Sequence, residues 1–141
     1  DMAWERIGDE IVRILTEGRA RRGFELLDAS GLLAHVLPEV AALHGVEQSP
    51  DHHPEGDVFV HTMRLLERLD GASESLALGA LLHDVGKPSC QEKHADGRIT
   101  FYGHCEVGAE MAAAACQRLR RSRETWERVE YLVRSHLRHV S

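Results

Sequence analysis

The sequence predicts an all-α fold, a bundle of about six or seven helices, because apolar residues recur three and four positions apart through most of its length. Composition agrees: 43% of the 141 residues are hydrophobic and 28% charged. Aromatics are scarce, while alanine and leucine, both good helix formers, are plentiful. A chain of this length builds one core rather than two, so residues 1–141 read as a single domain.

Each element follows from its own residues. Ala3 to Glu17 carries Ile7, Ile11, Ile14 and Leu15 at helical spacing, with Gly18 as its stop. A second helix is expected from Ala20 to Ser30, ended by Gly31, and a short third from Leu32 to Leu37, ended by Pro38. Together these form the lead-in helices of residues 1–44. The polar, proline-bearing stretch GVEQSPDHHPEG at 45–56 is a loop, and Asp57 is the N-cap of the next helix. That helix sets Val58, His61, Leu65 and Leu69 along one stripe. The following one, from Ser75 to Val85, sets Leu76, Ala80 and His83 on one face and ends at Gly86. Residues 89–103 break the period. Asp96-Gly97 is a turn signal and RITFY a short β-like run, so a loop or small hairpin is expected there. Helical pattern returns at His104, and a last helix from Arg123 aligns Trp126, Val129, Leu132, Val133, His136 and Val140.

The formal net charge of −6 excludes a wholly basic nucleic-acid-binding surface. Two local clusters, Arg19, Arg21 and Arg22, and Arg118, Arg120, Arg121 and Arg123, are either phosphate contacts or solvated helix faces. No apolar run is long enough to span a bilayer, and no membrane partner is expected. Cys90, Cys105 and Cys116 have no CxxC spacing and read as incidental thiols of a reducing, cytoplasmic setting.

Ten histidines are the oddity of the composition. One histidine on an apolar face is usually a core residue bonded to a carbonyl. Here His61, His83 and His136 occupy the inner stripes of three different helices, and His104 opens a fourth. A bundle core is where metal sites are assembled from facing helices, and neutral imidazole is a common ligand for transition metals. Asp84 adds an anionic oxygen able to offset or bridge metal charge. Lys87 can direct its cation toward a bound phosphate, and His53, in the loop beside His52, can line the entrance. Phe101 and Tyr102 either stack a base or anchor their loop in the core.

His61 together with LLHDVGK at 81–87 resembles the signature of the HD superfamily of metal-dependent phosphohydrolases. HHPEGDVFVHT at 52–62 and GRITFYGHCEVGAEMA at 97–112 are similar to the HD region of bacterial tRNA nucleotidyltransferases, the CCA-adding enzymes, and of related poly(A) polymerases. ASGLLAHVLPEV at 29–40 resembles the segment just ahead of that region, so the resemblance covers nearly the whole chain. It implies an HD-domain helical bundle with residues 45–141 as the metal-site core. His61, His83 and Asp84 fall on the core metal ligands, and His104 and His136 on the additional histidines of binuclear members. One or two divalent transition ions are implied, Mn, Fe, Ni, Co or Zn, with Mg less suited to so nitrogen-rich a set.

The resemblance also implies a last aspartate, yet no Asp follows Asp96 and Leu137 stands directly after His136. Either that ligand lies beyond Ser141, in a longer protein of which this chain is a fragment, or the site works with one carboxylate. Nor does the chain contain the carboxylate pair after a Gly-Ser turn that nucleotide addition needs. The expected activity is therefore attack of metal hydroxide on a phosphoester of a nucleotide or RNA end, of the 2′,3′-cyclic phosphodiesterase, 2′-nucleotidase or phosphatase type. In it, Asp84 binds metal and Lys87 steadies phosphate charge, with Lys87 and His53 as the substrate-binding pair. His104 and His136 bind the second metal or, failing that, the phosphate and leaving oxygen. The alternative is a non-catalytic HD module that binds RNA, touching tRNA through its parent protein, or that self-associates as a homo-oligomer.

Overall fold

The computed structural model describes residues 2–49 and 56–140, with side chains described as far as His136. The order is α1 (Met2–Thr16), α2 (Ala20–Ala29), α3 (Leu32–Val36), α4 (Pro38–Ala41), α5 (Val58–Leu66), α6 (Glu74–Leu82), α7 (Lys87–Cys90), β1 (Glu92–Lys93), β2 (Ile99–Thr100), α8 (His104–Arg118) and α9 (Arg123–Val140). Six of these helices have nine residues or more; α3, α4 and α7 are single turns. The protein is therefore the predominantly helical bundle that the composition and periodicity predict.

Local chemistry sets the boundaries. Gly18 and Gly31 take positive φ after α1 and α2, the left-handed conformation that costs glycine least. Pro38 opens α4 as well as closing α3, because its missing N–H would be unpaired in a first turn anyway. Asp57 caps α5 by accepting from Val60 N at 2.8 Å, and its other oxygen accepts from Gly45 N at 2.8 Å, pinning both ends of the loop. β1 and β2 form the expected hairpin, Glu92 opposite Thr100 and Lys93 opposite Ile99.

One hydrophobic cluster runs through the molecule, from Ile11, Leu15 and Phe24 in the lead-in helices through Leu33, Met63, Leu78 and Leu81 to Val129 and Val133. α8 packs most extensively on α9, and α9 in turn on α6, where Leu132 fits over the bare backbone of Gly79. Arg118 ties α8 to α3 and α4 through Val36 O at 3.0 Å and the Glu39 carboxylate at 2.6 Å.

Two helix faces differ from the expected ones. In α5 the fully buried positions are Val58, Phe59, Thr62, Met63 and Leu66, so His61 and Leu65 flank the stripe and are half-buried. In α6 the core takes Ala77, Leu78, Leu81 and Leu82, while Leu76 is 53% exposed. An almost uniformly apolar helix has no phase of its own, and the neighbours that pack on it choose the inner face. His83 lies between the rings of His61 on α5 and His136 on α9. α6 also ends at Leu82, and Gly86 sits at φ −78, where any residue fits. Its glycine is required because α8 crosses it: a Cβ there would collide with His104 O and the Gly108 backbone.

Among the described residues, four arginines of the basic clusters form ion pairs, of which those of Arg118 and Arg121 tie helices together. Arg21 pairs with Glu25 and Glu67, Arg118 with Glu39, Arg121 with Asp9 and Glu74, and Arg123 with Glu127. Among the described residues no helix is long and apolar enough to cross a membrane.

Candidate metal centre

Asp84 is the hub. It lies in the turn after α6, 2% exposed, and three histidines from three parts of the chain point their Nε2 atoms at its carboxylate. His83 Nε2 is 3.0 Å from Oδ2; His104 Nε2 and His136 Nε2 are 3.7 and 3.8 Å from Oδ1. His61, from α5, closes the group: it offers one donor atom that lies within 4.8 Å of donor atoms of His83 and Asp84. The His61 and His83 ring centroids are 5.8 Å apart, those of His83 and His136 5.1 Å, and those of His104 and His136 5.3 Å. The fold thus brings all five sequence-selected donors together from α5, the α6 end, the first residue of α8 and the end of α9.

Backbone carbonyls fix how the rings present themselves. His83 Nδ1 meets Ala80 O at 2.7 Å, His104 Nδ1 meets Phe101 O at 2.9 Å, and His136 Nδ1 meets Val133 O at 2.9 Å. A carbonyl can only accept, so each Nδ1 carries the proton, and a neutral ring then turns the lone pair of Nε2 inward. This arrangement, one ring nitrogen donating to the protein and the other aimed at a shared centre, is how metal-binding imidazoles are held.

The electrostatics call for positive charge at the centre. Burial works to hold Asp84 neutral, but the cations of His83 and Lys87 and the nearby His136 outweigh it and lower its pKa well below the usual carboxylate range. Burial likewise works against a charged His83, yet the carboxylate beside it prevails and raises that pKa. At His104 and His136 burial prevails instead, and both pKa values are lowered, favouring the neutral ligand form. Asp84 Oδ2 also accepts no well-aligned hydrogen bond among the described residues, although His83 Nε2 at 3.0 Å and Lys87 Nζ at 3.5 Å are close. Donors 2.0–2.2 Å from one tetrahedral ion stand roughly 3.3–3.6 Å apart. The 3.7–3.8 Å spacings around Oδ1 need only a small adjustment, so the residues fit a divalent cation.

Lys87 is 8% exposed. Its Nζ donates to Gln48 Oε1 at 2.7 Å, lies 3.5 Å from Asp84 Oδ2 and sits 4.9 Å over the Phe101 ring. Gln48, itself 5% exposed, was not legible as a site residue because its partner is thirty-nine positions away. Lys87 and His104 border a groove of about 720 Å³ that continues along Phe101, Tyr102, Gly103, Glu106 and Arg134. Phe101 is anchored against the core, whereas Tyr102 is 74% exposed. His53, like His52, lies outside the described residues.

Cys105, expected to be incidental, is at the centre's edge: one donor atom from each of His104, Cys105 and His136 lies within 4.8 Å of the others. Only adjacency to His104 could have signalled it, since His136 is thirty-one residues distant. No disulfide forms among the described residues.

Comparison with known proteins places the chain in a family. Residues 1–43 match the family described as "Probable RNA and SrmB- binding site of polymerase A". The CC-adding tRNA nucleotidyltransferase of Thermus thermophilus is 42% identical over 96% of this chain and 32% of its own length. The A-adding tRNA nucleotidyltransferase of Deinococcus radiodurans is 39% identical over 96% of the chain and 32% of its own. The Multifunctional CCA protein of Halorhodospira halophila is 39% identical over 94% and 32%. The chain spans about a third of the length of these relatives. Residues 51–141, which carry all five donors, match the HD domain model, and the chain belongs to the HD domain family.

Proposed function

We propose that the chain is a metal-dependent phosphohydrolase module acting on phosphoesters of nucleotides or RNA ends, with 2′,3′-cyclic phosphodiesterase, 2′-nucleotidase or phosphatase activity. The observation that carries this reading is the set of three imidazoles locked through Nδ1 to carbonyls and aimed through Nε2 at one buried carboxylate. A cation there supplies Lewis acidity toward a phosphoryl oxygen and lowers the pKa of water.

His61, His83, Asp84, His104 and His136 are the proposed metal ligands, for one or two ions. So nitrogen-rich a set suits Mn, Fe, Ni, Co or Zn better than Mg. Lys87, which lines the groove, neutralises charge on the phosphate. His53 completes the substrate-binding pair from the loop ahead of α5. With only one ion bound, His104 or His136 is left to hold the phosphate and protonate the leaving oxygen. Residues 1–44 serve as the lead-in and 45–141 as the core of one domain. The protein works in the cytoplasm, where its cysteines stay reduced.

A second reading is a non-catalytic module that helps a nucleotidyltransferase hold tRNA, or that self-associates. The match of residues 1–43 to an RNA-binding family and the tRNA nucleotidyltransferase names of the relatives favour the tRNA contact.

Elemental analysis of protein purified without chelator, followed by bis-p-nitrophenyl phosphate and 2′,3′-cyclic AMP assays with Mn, Ni, Co and Mg, separates the two. Bound metal with turnover lost in a His83→Ala/Asp84→Ala variant supports the enzyme. Turnover indistinguishable from that variant with every ion leaves the RNA-binding module.

A further inference from the structure

Gln48 has no part in the reading above, yet the fold specifies its placement closely. It is 5% exposed, and its partner Lys87 8%. The residues on either side of it are tied to the segment that follows α7. Glu47 O accepts from Gln91 Nε2 at 2.9 Å. Ser49 Oγ accepts from Ile99 N at 3.2 Å and donates to Ile99 O at 3.4 Å. The Gln48 amide itself has a single partner among the described residues: its Oε1 accepts from Lys87 Nζ at 2.7 Å, while its buried Nε2 has no acceptor. An ammonium only donates, so the lysine fixes which way the amide faces.

The distances around Lys87 show what this contact does. Lys87 stands three residues after Asp84, and its Nζ is 2.7 Å from Gln48 Oε1 but 3.5 Å from Asp84 Oδ2. A charge-assisted bond from an ammonium to a carboxylate is about 2.7–2.9 Å long, and Oδ2 accepts no hydrogen bond among the described residues. The lysine is therefore held just short of the carboxylate, although opposite charges attract and its four-carbon stem is flexible enough to close the gap. The oxygen at hydrogen-bonding distance is the neutral one. Asp84 thereby keeps Oδ2 for a cation, and Lys87 keeps its full charge where it lines the groove.

We infer that Gln48 is a positioning residue of the metal centre: its amide oxygen holds the Lys87 ammonium off Asp84, so that the carboxylate stays free for metal and the ammonium for a phosphoryl oxygen. Gln48 acts through Lys87 and touches neither metal nor substrate. The inference rests on the metal centre and on the phosphate role of Lys87 proposed above. Without the amide oxygen, the ammonium closes on the carboxylate it already faces, and a metal then has to break an ion pair to bind. A carboxylate in place of the amide also holds the lysine back but cancels its charge. Only a neutral acceptor meets both demands.

The test is a double-mutant cycle read as zinc affinity, measured on chelator-stripped protein by competition with a chromophoric chelator. Gln48→Met keeps the length of the side chain and removes the oxygen; it should bind zinc about 10- to 100-fold more weakly, the range for loss of an outer-shell partner. In a Lys87→Met background the same substitution should change affinity by no more than about 2-fold, because no ammonium is left to hold. Gln48→Glu should bind zinc at least as tightly as wild type, yet raise KM for bis-p-nitrophenyl phosphate by more than it lowers kcat. An equal loss in both backgrounds, no loss in Gln48→Met, or a Gln48→Glu chain as weak as Gln48→Met overturns the positioning role and leaves the metal centre standing. Zinc affinities in the expected pattern with no phosphoester hydrolysed overturn the hydrolase and keep Gln48 as a positioning residue of a metal centre. A wild type that binds no zinc overturns both. Should Gln48→Met fail to fold by circular dichroism, Gln48→Asn, whose oxygen is drawn back from Lys87 by one methylene, takes its place in the cycle.

Discussion

Gln48 accepts a 2.7 Å hydrogen bond from the buried ammonium of Lys87, linking the connection between α4 and α5 to the start of α7. The bond gives the cation a neutral partner besides Asp84 and holds it where it lines the groove. Gln48→Leu leaves that partner missing without opening a cavity. The expected loss is about 1–3 kcal/mol of stability, the cost of a buried polar group left unpaired, read as a lower urea midpoint with an unchanged slope. An unchanged midpoint would mean the lysine finds another acceptor.

Gly86 separates the His83-Asp84 dyad from α8 by bare backbone contact with His104 O and Gly108. Backbone atoms of a helix cannot swing aside as a flexible side chain would. Gly86→Ala should therefore cost about 1–3 kcal/mol or more as overpacking, and, by pushing His104 from Asp84, also lower metal content in elemental analysis. The same substitution at Gly31, where nothing lies within 4 Å, meets no such wall; it carries only the strain of a positive φ.

Chelator-treated protein should respond to acid through His104 and His136, whose pKa values burial lowers from 6.5. A base with a depressed folded-state pKa contributes stability that is present above its unfolded value and lost as pH falls below it. Urea unfolding of wild type and His104→Gln at about pH 7.5 and 5.5 isolates one such group. The stability lost between the two pH values should be smaller in the variant. His83, raised from 6.5 by Asp84, acts in the opposite sense: its contribution is present below 6.5 and lost as pH rises.

Burial pushes the Cys116 thiol up from 9.0 to about 12, and its side chain has no exposed surface. At mildly alkaline pH a thiol reagent should label the half-buried Cys90 quickly and reach Cys116 only in denaturant, as peptide mass spectrometry would resolve. The sign for stability is fixed as well. Above about pH 9 the unfolded chain gives up this proton while the folded one retains it, so the fold weakens as pH climbs toward 12.

The five donors His61, His83, Asp84, His104 and His136 were legible because each sits beside a strong local signal: an apolar helical period, a helix end, or a motif shared with a family. The hairpin was legible from Asp96-Gly97, and the start of α5 from Asp57. Gln48 and Cys105 were not, since their partners lie thirty-nine and thirty-one residues away and no local pattern encodes such pairs. The inner face of α6 was misread for a related reason: where nearly every side chain is apolar, periodicity carries no direction.

The sequence by itself determined the six longer helices, the Asp57 cap and the residues that can bind a metal, because these depend on dihedral preference, hydrogen-bonding capacity and donor chemistry of neighbours in the chain. Only the tertiary structure decided that three histidines turn toward one carboxylate with His61 close by, that Nδ1 of those three is spent on carbonyls, that Lys87 is held by Gln48, and that Gly86 is glycine for the sake of α8. Those outcomes depend on how closely α5, α6, α8 and α9 approach one another, which is set by the volumes packed between them and not by the spacing along the chain.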